Sequence, residues 1–117
     1  MARKGMNMRL LLQPKGSNLC GQTCVAMIAG ISLEEAILAV GKRGLTTTKD
    51  IAQALRKLGF GCADRVTRYN GRLGSELCLC VVESKHWVVY KDGLFYDPAF
   101  GILFWMPRVT SYLNITQ

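Results

Sequence analysis

The hydrophobic period of this chain changes once, near residue 60, and that change limits the fold more than any other feature. Before it, apolar residues recur at helical spacing; after it, they alternate or gather in short Val-rich and aromatic stretches. "TCVAMIA" (23–29) carries no polar side chain beyond Thr23, as suits a short helix buried on most sides, and Gly30 is placed to end it. Ser32 followed by Glu35 makes a capping box for a second helix, "LEEAILAVG", closing near Gly41. In "GLTTTKDIAQALRKLGFG", Thr48 is the candidate cap, Ile51, Leu55 and Leu58 share one helical face, and Gly59 stops the helix.

The second half reads as strands. "CLCVVES", "HWVVYKDG" and "LFYDPAFG" are separated by turn signals, and Lys91-Asp92-Gly93 should join 86–91 to 94–97 in a hairpin. "ILFWMPRVTSYLNIT" is expected to add one further strand before Pro107, then a tail whose structure the pattern leaves open. Helices first and strands after predict one α+β domain over 1–117, with an antiparallel sheet rather than parallel βαβ units. At 117 residues, half of them hydrophobic, the chain is long enough to bury a core.

Composition narrows the partners. Gly30, Glu34, Glu35 and Gly41 break the apolar stretches short of the roughly 20 residues that a membrane span requires. The N-terminal apolar run is only Leu10 to Leu12, too short for a signal-peptide core, so "MARKGMNMRLLLQPKG" reads as part of the mature protein and no membrane partner is expected. Five cysteines, an odd number at positions 20, 24, 62, 78 and 80, suit a reducing, cytoplasmic setting better than a disulfide framework. The formal charge of +7 favours acidic or phosphate-bearing partners. Its Lys and Arg are scattered in runs no longer than two, which reads as a solvated surface and argues against nucleic acid.

Chemistry can start at "SNLCGQTCVAMIAG". A thiol is a nucleophile only as thiolate, and a helix N-terminus beside an imidazolium lowers its pKa. Cys20 stands at such a helix start, with Gly21 behind it as a residue that would let a substrate backbone approach. Cys24, one turn deeper, is the runner-up and reads better as packing. His86 is the only histidine and opens the strand "HWVVYK". If the hairpin pairs symmetrically about its turn, Asp97 falls near His86 and could orient it, as the third member of a triad does. The bland readings are a structural histidine at a strand end and an Asp-Pro turn. Cys62, Cys78 and Cys80 read as structural, and neither Cys-x-Cys nor Cys-x-x-x-Cys has the usual spacing of a structural zinc site, so no metal or cofactor is expected.

"Q…NLCGQTCVAMI" followed by "HWVVYKDGLFYDPA" resembles the papain-like cysteine peptidases of the bacteriocin-processing, double-glycine-leader type. The likeness covers most of the chain, and "TTTKDIAQALRKLGFG" resembles that family's third helical segment. It implies a papain-like fold with Cys20 as nucleophile, His86 as general base and acid, and Asp97 as the orienter of His86. Gln13, with the Cys20 backbone N–H, would be an oxyanion-hole donor. Gln13 lies seven residues before Cys20 where the family usually has six, so Asn18 is an alternative donor.

The resemblance implies a thiol-dependent hydrolase cleaving a peptide, amide or isopeptide bond through an acyl-enzyme. The same triad serves amide transfer and deamidation, and a catalytically inactive peptide- or protein-binding module is the alternative from another class. A protein or peptide substrate is expected. So short a chain leaves little room for a substrate-binding subdomain, and a homodimer or a larger partner is the expected way to complete the cleft. The chain carries no fused transporter, which counts against leader processing as its specific role.

Overall fold

A computed structural model describes residues 8–117, so the basic start at Arg3 and Lys4 lies outside the described residues. Three helices come first: α1 (Cys20–Ala29), α2 (Leu33–Val40) and α3 (Thr48–Lys57). Seven strands follow among the described residues: β1 (Gly61–Cys62), β2 (Thr67–Arg68), β3 (Leu77–Val82), β4 (His86–Lys91), β5 (Leu94–Asp97), β6 (Gly101–Ile102) and β7 (Val109–Thr116). The result is the expected α+β architecture.

Each helix boundary has a local cause. Gly30 and Gly41 take the left-handed conformation at the ends of α1 and α2, their backbone N–H groups donating to Ala26 and Ile37 carbonyls. Ser32 and Glu35 form the reciprocal capping box that their spacing implies. The third helix differs from expectation by one residue: Thr47, not Thr48, is the N-cap. Thr47 Oγ1 accepts from the Asp50 N–H at 3.1 Å, and the Asp50 carboxylate accepts from the Thr47 N–H at 2.8 Å. Thr48 could not make that exchange, because its partner three residues on is Ile51.

All strand pairs are antiparallel, in the order β1-β7-β3-β4-β5-β6, with β2 also pairing β7. β1 and β2 lie along one side of β7, where Gly61 faces Thr116 and Arg68 faces Ser111, as two pieces of an interrupted strand. The hairpin of β4 with β5 turns at Asp92-Gly93 as expected. The C-terminal segment does not follow expectation. Only the two residues of β6 pair before Pro107, and the supposed tail is β7, the longest strand, which lies inside the sheet beside β3. Pro107 has no N–H to offer a ladder, whereas Val109, Tyr112, Leu113 and Ile115 give β7 apolar side chains for both sheet faces.

Alternation sorts the strands between two cores. Leu77, Leu79, Trp87, Val89, Leu113 and Ile115 join the helices in the larger one, around α1, whose residues from Gly21 to Ala29 are all buried. Cys78, Cys80, Val88, Phe95 and Tyr112 form a smaller cluster on the other face, against Leu73, Tyr69 and Leu103. No single described helix is long and apolar enough to cross a membrane. α1 and α2 together have the length and composition, but they meet at a bend of 109°, and α1 fills the core.

Candidate active site

The site forms where the start of α1 meets the start of β4. Leu19 caps α1 without a side-chain hydrogen bond, and the first turn holds no acidic residue, so nothing neutralises the positive end of the helix at Cys20. Cys20 is partly exposed. Burial alone would raise its pKa. Hydrogen bonds from the His86 ring and the Trp87 backbone, the charge on His86, and the Gly21 backbone outweigh that penalty and hold the thiol below its ordinary value.

His86 owes its position to the β3–β4 turn. Glu83 and Ser84 adopt left-handed backbone there, with φ of 53° and 63°. The ladder between β3 and β7 shifts register at Val81/Val82, and Thr110 turns this irregularity into a brace. Its Oγ1 accepts from the Ser84 N–H and donates to the Val81 carbonyl, both at 3.1 Å. β4 then begins at His86, opposite Val82.

The carboxylate comes from the end of β5. His86 Nε2 lies 2.8 Å from Asp97 Oδ1, which leaves Nδ1 for Cys20. The same Asp97 oxygen accepts from the Ala99 N–H at 2.7 Å and the Phe100 N–H at 3.3 Å. The turn-forming and histidine-orienting readings of Asp97 are therefore both realised, by one buried oxygen. Its bond to His86 and the bond from Cys20 raise the imidazole from 6.5 to about 9, against the opposing effect of burial. A lowered thiol beside a raised imidazole is the electrostatic setting of a thiolate–imidazolium pair.

The remaining candidates separate. Cys24 is wholly buried, its Sγ bonded to the Trp87 carbonyl at 3.5 Å, and burial pushes its pKa well up, so it fills core and is no nucleophile. Gln13 is tied to the site's rim, its backbone N–H donating to the Pro98 carbonyl at 2.8 Å. Its Nε2 donates to the Ser17 carbonyl at 2.7 Å, and its buried Oε1 has no partner among the described residues. Asn18, the alternative donor, lies over Gly44 and is exposed. Cys78 and Cys80 sit in the smaller core, and no group of three or more His, Cys, Asp or Glu among the described residues is placed to hold a metal.

Gly21 has a different task from the expected one. A Cβ there would collide with Thr46 Oγ1, so this glycine admits the loop before α3 against the helix and gives no open approach to a substrate. Gln22, which the sequence does not single out, fixes that loop: its buried Nε2 donates to the Lys42 and Gly44 carbonyls at 3.0 and 2.8 Å. The signal was present in the sequence as a long polar side chain at the start of a mostly apolar helix, which must find partners when buried.

No protein-family model matches the chain, and no curated protein matches its sequence. Among solved structures, it superposes with a TM-score of 0.76 on a double glycine motif protease from an AMS/PCAT transporter, crystallised in complex with the leader peptide. The match covers 94% of this chain and 91% of that one, at 21% sequence identity. The chain has a papain-like α+β fold. Within this papain-like frame, the helical half supplies Cys20, and the sheet supplies His86 and Asp97.

Proposed function

We propose that the protein is a thiol-dependent peptidase whose nucleophile is Cys20. The observation that carries this reading is the continuous chain of contacts from Cys20 through His86 to Asp97, with the thiol lowered and the imidazole raised. The Cys20 thiolate attacks the substrate carbonyl carbon, forming a C–S bond and placing negative charge on oxygen. The Cys20 backbone N–H and the Gln13 side chain are the proposed donors to that oxygen; Gln13 would do so by turning its amide from Ser17. Collapse breaks the C–N bond as His86 gives its proton to the leaving amine. Water then attacks the acyl-enzyme, His86 takes its proton, and the thiolate is restored.

The substrate class we propose is a peptide. The leader peptide held by the protease of like fold supports it. A reducing compartment, the cytoplasm, suits five free cysteines and a nucleophile that must stay unoxidised.

Incubation with synthetic peptides carrying a Gly-Gly segment, followed by intact-mass analysis, tests this. Cleaved peptide and a transient acyl adduct on the wild type, both absent from Cys20→Ala, are expected. Peptides bound equally by both proteins with no cleavage and no adduct would make the chain a binding module instead. An adduct resolved only by an added amine would make it a transferase.

A further inference from the structure

The loop between β6 and β7 exposes large apolar side chains that no intramolecular contact explains. Phe104 is 94% exposed, Trp105 61% and Met106 55%, in consecutive positions, with Phe100 at 77% just before β6. The chain extends this surface from its other end: Gln13 N–H bonds to the Pro98 carbonyl, Leu10 packs over Gly101, and Leu12 is left 60% exposed beside them. Other exposed leucines, such as Leu38 and Leu45, stand singly on separate elements, as is ordinary for a surface.

Basic residues flank these apolar segments along the chain: Arg9, Lys15 and Arg108 lie within three residues of Leu10, Leu12 and Met106 respectively, are exposed, and enter no ion pair among the described residues. The backbone N–H of Glu83, an acidic residue, bonds to the Arg108 carbonyl. The whole chain still carries +7. The loop has neither helix nor strand along 103–108, and Phe104 is too fully exposed to line a groove. Exposed aromatic and Met side chains on a loop, with unpaired basic residues close by in sequence, match the chemistry of an anionic lipid headgroup region, where aromatic rings settle and cations are drawn.

We propose that this face docks the protein on an anionic membrane surface. The expectation of no membrane partner rests on the absence of a spanning segment, and a loop that inserts only its side chains requires none. Docking would bear on the candidate site directly, because Phe100 of this face stands in the β5–β6 turn that follows Asp97, whose Oδ1 is bonded by the Ala99 and Phe100 N–H groups. A candidate site held there would meet substrates at the lipid interface.

The full chain carries its own reporter. Trp87 is buried at 8% exposure, so a change in tryptophan emission on adding vesicles reports Trp105. Phosphatidylcholine vesicles are compared with phosphatidylcholine–phosphatidylglycerol vesicles, by emission and by co-sedimentation. A blue shift and co-sedimentation with the mixed vesicles are expected, weakened by salt. Phe104→Ser combined with Met106→Ser should cut partitioning on the order of tenfold or more while keeping the reporter, and Arg9→Gln with Arg108→Gln should weaken it several-fold. Unchanged melting of these surface variants confirms that each is folded. No shift with either vesicle, or binding indifferent to the loop substitutions, overturns the proposal. A shift produced by peptide or by an RNA oligomer and not by vesicles overturns it too, and assigns the face to that partner. Cleavage in solution is a separate readout, so failure here leaves the peptidase reading standing.

Discussion

At the scale of residues, the account rests on proton positions in one pair. Because His86 is the only histidine, its ring resonances can be followed by NMR without assignment ambiguity. They should titrate near pH 9 in the wild type, and Asp97→Asn should bring the midpoint down towards 6.5, since the Asp97 bond is the largest cause of the rise. A raised folded-state pKa means the contribution of His86 to stability is complete below about 6.5 and is lost as pH rises through about 9. Peptide cleavage should share that alkaline limit, because His86 must hold a proton to give the leaving amine, and thiol reactivity should decline in acid where Cys20 regains its proton. The placement of Cys20 at a helix start and of Cys24 one turn deeper was legible in the sequence, because position relative to a helix start is local information. The role of Gly21 was not, since Thr46 approaches it from another element.

At the scale of elements, local signals decided the ends of helices better than the places of strands. Gly30, Gly41 and the Ser32/Glu35 box act within one turn of chain, so they could be read directly. The run of three threonines at 46–48 is ambiguous unless reciprocity with Asp50 is required, and that requirement selects Thr47. Thr47→Ala should therefore lower stability by about 1 kcal/mol in urea unfolding, whereas Thr48→Ala should change it by less than about half as much. Equal costs would place the cap elsewhere. The interrupted edge of β1 and β2 escaped the sequence because two-residue strands carry no period of their own; they exist by pairing with β7.

At the scale of the whole molecule, the C-terminal strand joins what the period change divides. β7 lies between β3 and the β1/β2 edge, and its Thr110 braces the turn that delivers His86, so the last residues of the chain help to aim a side chain of the site. The sequence concealed this, because Pro107 and the exposed aromatics before it resemble an unravelling end. Leu113, fully buried on β7, tests the central placement: Leu113→Ala should cost about 2–5 kcal/mol in equilibrium unfolding, and a cost under about 1 kcal/mol would fit the tail of the sequence reading instead. The fold's consequence is that a thiol from the helical half meets an imidazole and a carboxylate from the sheet. The most direct test of that meeting is the rate of alkylation against pH, with mass spectrometry locating the modified cysteine in wild type and in His86→Ala. The account predicts that Cys20 alone reacts fast well below an ordinary thiol pKa of about 8.5 and that His86→Ala abolishes this advantage. Cys20 reacting no faster than Cys62, or equally fast without His86, would contradict it.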